Sequence, residues 1–234
     1  MIRRVAAEAL GTALLLAIVV GSGIMGENLA AGNKAVALLA NTIATGAGLF
    51  TLITMFGPIS GAHFNPAVTI AAVIQRSLGV KEAVAFILAQ VAGAFAGVVA
   101  AHAMFGLPLV QTSAHARGSL GEGVGEVIAT FGLVLTIRLT SKAPLAHVAG
   151  AVALWITAAY WFTSSTSFAN PAVTFARSLT DTFSGIAPNH VVAFIASQLL
   201  GTALALMTAR WLLVPQGKSG THIPQRPAAT ADRS

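Results

Sequence analysis

The sequence predicts an all-α membrane protein in which six transmembrane helices are joined by two re-entrant half-helices. Three observations carry this reading. Hydrophobic residues make up 56% of the 234 residues and charged residues only 9%, too few charges to clothe a soluble globule of this size. Charges and turn residues cut the chain into apolar stretches at about 9–26, 35–56, 83–105, 127–137 (extended backward past Glu126), 143–163 and 188–209, most of them long enough for the ~20 helical residues that cross a ~30 Å hydrocarbon core. The third observation is a repeat: "FNPAVTIA" at 64–71 returns as "ANPAVTFA" at 169–176.

The first stretch, "MIRRVAAEALGTALLLAIVV", has the charge-then-apolar order of a secretion signal, but Glu8 interrupts it and no clear small-residue cleavage site precedes Glu27. It reads as a retained first span. The chain contains no cysteine, which excludes disulfides, thiolate metal sites and cysteine nucleophiles. A net charge of +6 raises the question of nucleic acid, yet the basic residues lie scattered between spans with no aromatic-interleaved patch, so no nucleic-acid partner is expected. With the N-terminus inside, the inner loops collect ten of the thirteen basic residues, leaving Lys34, Arg117 and Arg177 outside. The positive-inside rule then places both termini in the cytoplasm. Residues 1–213 are expected to form the membrane domain, and the polar, Pro-bearing tail 214–234 to be disordered.

The repeat extends beyond the octapeptide. Glu8 and Thr12, Asn65-Pro66-Ala67, then Gln90 and Gly93 are matched in order by Glu126 and Thr130, Asn170-Pro171-Ala172, then Gln198 and Gly201. The repeats span about 4–105 and 121–213. Each holds three spans, an odd number, so the second copy is inverted in the membrane, and inverted repeats place a functional site at the midplane where broken helices meet. Proline is well tolerated at the first helical position and asparagine is a strong N-cap, so each Asn-Pro-Ala reads as the start of a short helix. About ten residues from Asn65 to Gln75 give a helix of ~15 Å, half a bilayer. The Gly- and Ser/Thr-rich segments before them, "GPISGAH" (57–63) and "TSSTS" (163–167), are expected to be re-entrant backbone lining a lumen. Two helix N-termini meeting at the midplane leave a polar, electropositive point, with the asparagine amide hydrogens free to donate into the lumen.

"SGAHFNPAVT" with a second "NPAV", the paired Glu-x-x-x-Thr on the first and fourth spans and the paired Gln-x-x-Gly on the third and sixth resemble the aquaporin and aquaglyceroporin, or major intrinsic protein, family over about residues 4–213. The resemblance implies a homotetramer in the membrane lipid in which every subunit carries its own pore. In most members Arg follows the second Asn-Pro-Ala and forms an outer filter with three other positions. Here Val173 stands in that place, and the others, carried over by distance from the motifs, are Thr45, Ala158 and Ser167. All four are small, which puts strict water selectivity in doubt. "NPAVTFARSLTD" looks most like a bacterial subgroup associated with arsenic-resistance genes, which implies neutral metalloid hydroxides or related arsenicals as substrates and a bacterial inner membrane as the location.

Glu8 and Glu126 admit two readings, a proton relay and a buried acceptor bracing the re-entrant loops; symmetry and resemblance favour bracing. His63 likewise reads as a loop brace in preference to a gate. Arg177, one turn beyond Val173 on the same helix face, reads either as an interfacial residue extending its charge to the membrane surface or as a displaced filter charge in the vestibule. The histidines show no metal-ligand spacing, and no nucleophile, base and orienter set is visible. The chain is therefore expected to be no enzyme and to use no cofactor. It reads as a passive channel for small uncharged polar solutes, with a strict water channel and a coupled secondary transporter as the rival readings.

Overall fold

A computed structural model describes residues 1–213. Six long helices, α1 (Ile2–Leu29), α2 (Lys34–Ser60), α4 (Val80–Met104), α5 (Leu120–Thr140), α6 (Leu145–Phe162) and α8 (Pro188–Leu212), are each long and apolar enough to cross a membrane. Two short ones, α3 (Pro66–Ile74) and α7 (Pro171–Arg177), complete the described residues. The expected disordered tail, 214–234, lies outside the described residues.

Helix boundaries follow local chemistry. The fourth span, α5, starts well before 127 because Ser119 and Glu122 form a reciprocal capping box, satisfying backbone N–H groups that a membrane helix end would otherwise leave unpaired. The re-entrant segment of the first repeat starts later than the sequence indicates. Helix α2 carries Gly57, Pro58 and Ser60 as its last turn and ends at Gly61, whose φ of +95° is a left-handed cap. A proline so near the C-terminus forfeits a single ladder bond, which explains why it does not break the helix earlier.

The packing repeats as the sequence does. α1 packs on α2 and α4, α5 packs on α6 and α8, and α2 meets α6 across the two halves. Each short helix touches a long helix of the other repeat, α3 on α8 and α7 on α4. These crossings need backbones to approach closely, and glycine permits it. A Cβ at Gly93 would strike the carbonyl oxygen of Ala9, and one at Gly201 the carbonyl oxygen of Val127. Small residues at such contacts are how membrane helices pack without a hydrophobic drive between them. Gly93→Ala should therefore destabilise by about 1–3 kcal/mol, because backbone must move to admit one carbon. Gly150→Ala, where the added carbon meets only Phe50 at 3.9 Å, should be close to neutral, and thermal unfolding of both variants in detergent checks the contrast.

Candidate functional site: a midplane pore

Asn65 and Asn170 each cap the short helix that follows them. The Asn65 side-chain oxygen accepts from Ala67 N at 2.8 Å, and that of Asn170 from Ala172 N at 3.0 Å and Val173 N at 3.3 Å. Both capping residues have extended backbone, and Pro66 and Pro171 occupy the first helical position. The amide nitrogens do something the sequence did not reveal. Asn65 Nδ2 donates to Ala169 O and Asn170 Nδ2 to Phe64 O, both at 2.8 Å. The expectation that all the amide hydrogens stay free is thus corrected: one from each asparagine is spent tying the two repeats together, and one remains for the lumen.

The loops that aim these caps are strained in register. Ala62 and Phe64, three and one residues before Asn65, have positive φ, as do Ser167 and Ala169 at the same distances before Asn170. Non-glycine residues stay in the left-handed region only where the surroundings over-determine them. Glu8 and Glu126 supply that constraint. Glu8 accepts from Ser60 Oγ at 2.6 Å, His63 N at 3.0 Å, Phe64 N at 2.7 Å and Gln90 Nε2 at 2.7 Å. Glu126 accepts from Phe168 N and Ala169 N, both at 2.8 Å, and from Gln198 Nε2 at 2.6 Å. Both carboxyl groups are fully buried, and their oxygens are occupied by loop donors.

Thr69 and Thr174, which reasoning from the sequence missed, complete the network. Each accepts from the glutamine of its own repeat, Gln90 at 2.9 Å and Gln198 at 2.8 Å, and each hydroxyl donates to the carbonyl of its capping asparagine. The signal was present: the repeated octapeptide reads Asn-Pro-Ala-Val-Thr both times. His63 Nδ1 lies 3.1 Å from Thr69 Oγ1, so it joins this bracing while its residue also lines the lumen.

Between the halves runs a cavity of about 340 Å³. Its walls are largely apolar, drawn from Leu49 and Ile53 on α2, Leu133 on α5, and Val152 and Ile156 on α6, with Asn65 and Asn170 at the waist. One mouth is edged by Gln75, Arg138 and Ser141, the other by Thr45, Ser167, Val173 and Arg177. Ala158 is absent from this second mouth. It is exposed on the outer face of α6, and Tyr160 lines the cavity in its place, its hydroxyl 3.3 Å from Thr45 Oγ1. The correction has a simple geometric cause. Two residues along a helix turn the side chain by about 200°, so a count that is off by two reaches the opposite face. The spacing of Val148, Val152, Ile156 and Tyr160, one every four residues, marks the inward stripe and could have found it.

Arg177 is not an interfacial residue either. It is 3% exposed, it lines the cavity, its Nε donates to Ser184 O, and its guanidinium carbon lies 3.4 Å from the centre of the Phe168 ring. Arg117, from the loop between α4 and α5, approaches the same ring at 5.2 Å. It donates to Gly185 O at 2.8 Å and Ser165 O at 3.3 Å. Among the described residues no cluster of His, Asp or Glu is arranged to hold a metal ion.

Six spans, two capped half-helices meeting at the midplane and an inverted bracing network are now in place, and comparison with known proteins decides what they belong to. The sequence pattern of the major intrinsic protein family matches residues 1–156. This chain belongs to the major intrinsic protein family. It is 53% identical to aquaglyceroporin AqpS of Rhizobium meliloti (strain 1021) over 213 residues, covering 91% of each chain. It is 32% identical to human aquaporin-1, covering 94% of this chain and 85% of the relative. The fold matches the crystal structure of the aquaglyceroporin from Plasmodium falciparum with a TM-score of 0.72 at 20% identity, covering 91% of this chain and 97% of that one. Like other major intrinsic proteins, the chain is a multi-pass membrane channel and not an enzyme.

Proposed function

We propose that this chain passively conducts small uncharged polar solutes wider than water, such as glycerol-like polyols and neutral metalloid hydroxides including arsenite, together with water itself. The observation that carries the reading is Val173, a branched apolar residue at a mouth where a permanently charged five-donor side chain would take most of the cross-section. Thr45 and Tyr160 bring hydroxyl-bearing side chains to the lining of the same cavity. A solute with one carbon edge and one hydroxyl edge can lay the first on Val173 and exchange water for hydroxyl partners with the second. At the waist, Asn65 and Asn170 each offer one free amide hydrogen in place of another hydration contact. The metalloid assignment rests on the likeness of residues 170–181 to channels associated with arsenic resistance. In this reading the protein is a homotetramer with four separate pores in a bacterial inner membrane, both termini cytoplasmic.

Cations are opposed by the fold itself. Two half-helix N-termini contribute about half a charge each, so a cation ~5 Å away meets ~3 kcal/mol of repulsion at an effective dielectric of 20, before any cost of dehydration. A coupled transporter would need titrating groups along the path, and the two buried glutamates have their oxygens turned to the loops. Stopped-flow light scattering on proteoliposomes, with water, glycerol, urea and neutral arsenite as parallel permeants, tests the reading. Flux should follow each solute gradient and be indifferent to pH gradients and membrane potential. Uphill accumulation driven by protons or sodium would sink it, and flux of water alone would return the strict water channel.

A further inference from the structure

The cavity mouth beside Val173 contains a cation without a counter-ion. A guanidinium has five N–H donors, and the single hydrogen bond that Arg177 makes among the described residues uses Nε. Stacking on Phe168 holds the plane of the group but leaves the N–H bonds at its terminal edge unspent, because those bonds lie in the guanidinium plane and the ring sits against its face. Nearby carboxylates are otherwise engaged. Glu126 accepts from Phe168 N, Ala169 N and Gln198, Glu122 closes the capping box of α5, and Asp181 accepts from Ala114 N in an exposed loop. The neighbouring Arg117 adds a second positive charge, its own N–H groups directed at backbone carbonyls.

We infer that Arg177 forms an oxyanion-binding subsite at this mouth of the cavity, taking a small carboxylate- or phosphate-like group through the free edge of its guanidinium. A planar fork of N–H donors matches two oxygens of such a group at once, and the second guanidinium behind Phe168 adds attraction without competing for the same oxygens. A group held there occupies the lumen one helical turn from Val173, so an oxyanion at this subsite obstructs the pore while a neutral oxyacid uses the same donors as a waypoint. The obstruction, though not the binding, rests on the proposal that this cavity is the conduction path.

The two claims separate experimentally. Titration calorimetry of the detergent-solubilised full chain with inorganic phosphate, at constant ionic strength set by chloride, should give saturable binding. Arg177→Gln should weaken it at least tenfold. Arg177→Lys keeps the charge and removes the fork, so it should weaken binding severalfold and serves if the glutamine variant does not fold. Absence of saturable binding, or equal affinity in the parent and both variants, overturns the subsite. In proteoliposomes, phosphate on both sides should slow glycerol flux through the parent and leave Arg177→Gln unaffected. Phosphate binding that depends on Arg177 without slowing flux would instead remove this cavity as the conduction path and leave the subsite standing.

Discussion

A Val173→Arg variant should show a glycerol-to-water permeability ratio roughly tenfold or more below that of the parent, which corresponds to ~1.4 kcal/mol of differential barrier. The new side chain would project into the mouth edged by Thr45, Tyr160 and Ser167. Water is small enough to pass such a group, and glycerol is not without displacing it. Folding should survive, because the capping bond to residue 173 uses its backbone N–H and the enclosing cavity is open. Arg177 follows one turn later on the same face, and two like charges at that spacing repel. The double variant Val173→Arg with Arg177→Gln removes this repulsion and keeps the added bulk, so it should show the same loss of glycerol flux. Stopped-flow measurements on purified protein decide the matter. Unchanged passage of glycerol in both variants would mean that position 173 is not at the narrowest point.

The fold was legible because the membrane leaves few alternatives. An apolar run must be a helix there, and two copies of Asn-Pro-Ala within an odd number of spans force an inverted pair. The half-helices start at Pro66 and Pro171 as the capping chemistry predicts. Ser167 and Val173, three residues from Asn170 on either side, both line the cavity, because the backbone close to the motif fixes where they lie. Ala158 failed because the count back from Asn170 passes through the irregular stretch after Phe162, where one residue does not advance the chain by a fixed rise or rotation. The fate of the Asn65 and Asn170 amides, each spent on a carbonyl more than a hundred residues away, is a tertiary fact that no local pattern encodes. Arg177 was ambiguous for the same reason. Its helix face could be read, but the fold of the loop that brings Ser184 back against it could not.

A large loss of stability is expected from a change of one atom type, Glu126→Gln, at a position that no solute needs to touch. Glu126 is fully buried, and its two oxygens receive Phe168 N, Ala169 N and Gln198 Nε2. A glutamine there has one accepting oxygen and one donating nitrogen, so at least one backbone N–H of the re-entrant loop must face another donor. An unpaired buried donor costs about 1–3 kcal/mol, and bonds that lose an ionised acceptor weaken further. The positive φ of Ser167 and Ala169 aims the N–H groups of Phe168 and Ala169 at this carboxyl. The expected total is about 3 kcal/mol or more, seen as a fall in the unfolding temperature on the order of 5–10 °C for a chain of this length. Glu122→Gln makes the same chemical change one turn earlier in the same helix, but there the side chain belongs to a capping box that accepts glutamine as readily, so it should shift the unfolding temperature little. Glu8→Gln, with Ser60 Oγ, His63 N, Phe64 N and Gln90 Nε2 to satisfy, should be at least as damaging as Glu126→Gln. Circular dichroism melts of the three variants in one detergent test the ordering. If Glu126→Gln unfolds at the parent's temperature, the buried carboxyl does not hold the re-entrant loop in place, and its symmetry with Glu8 calls for another explanation, such as the proton relay.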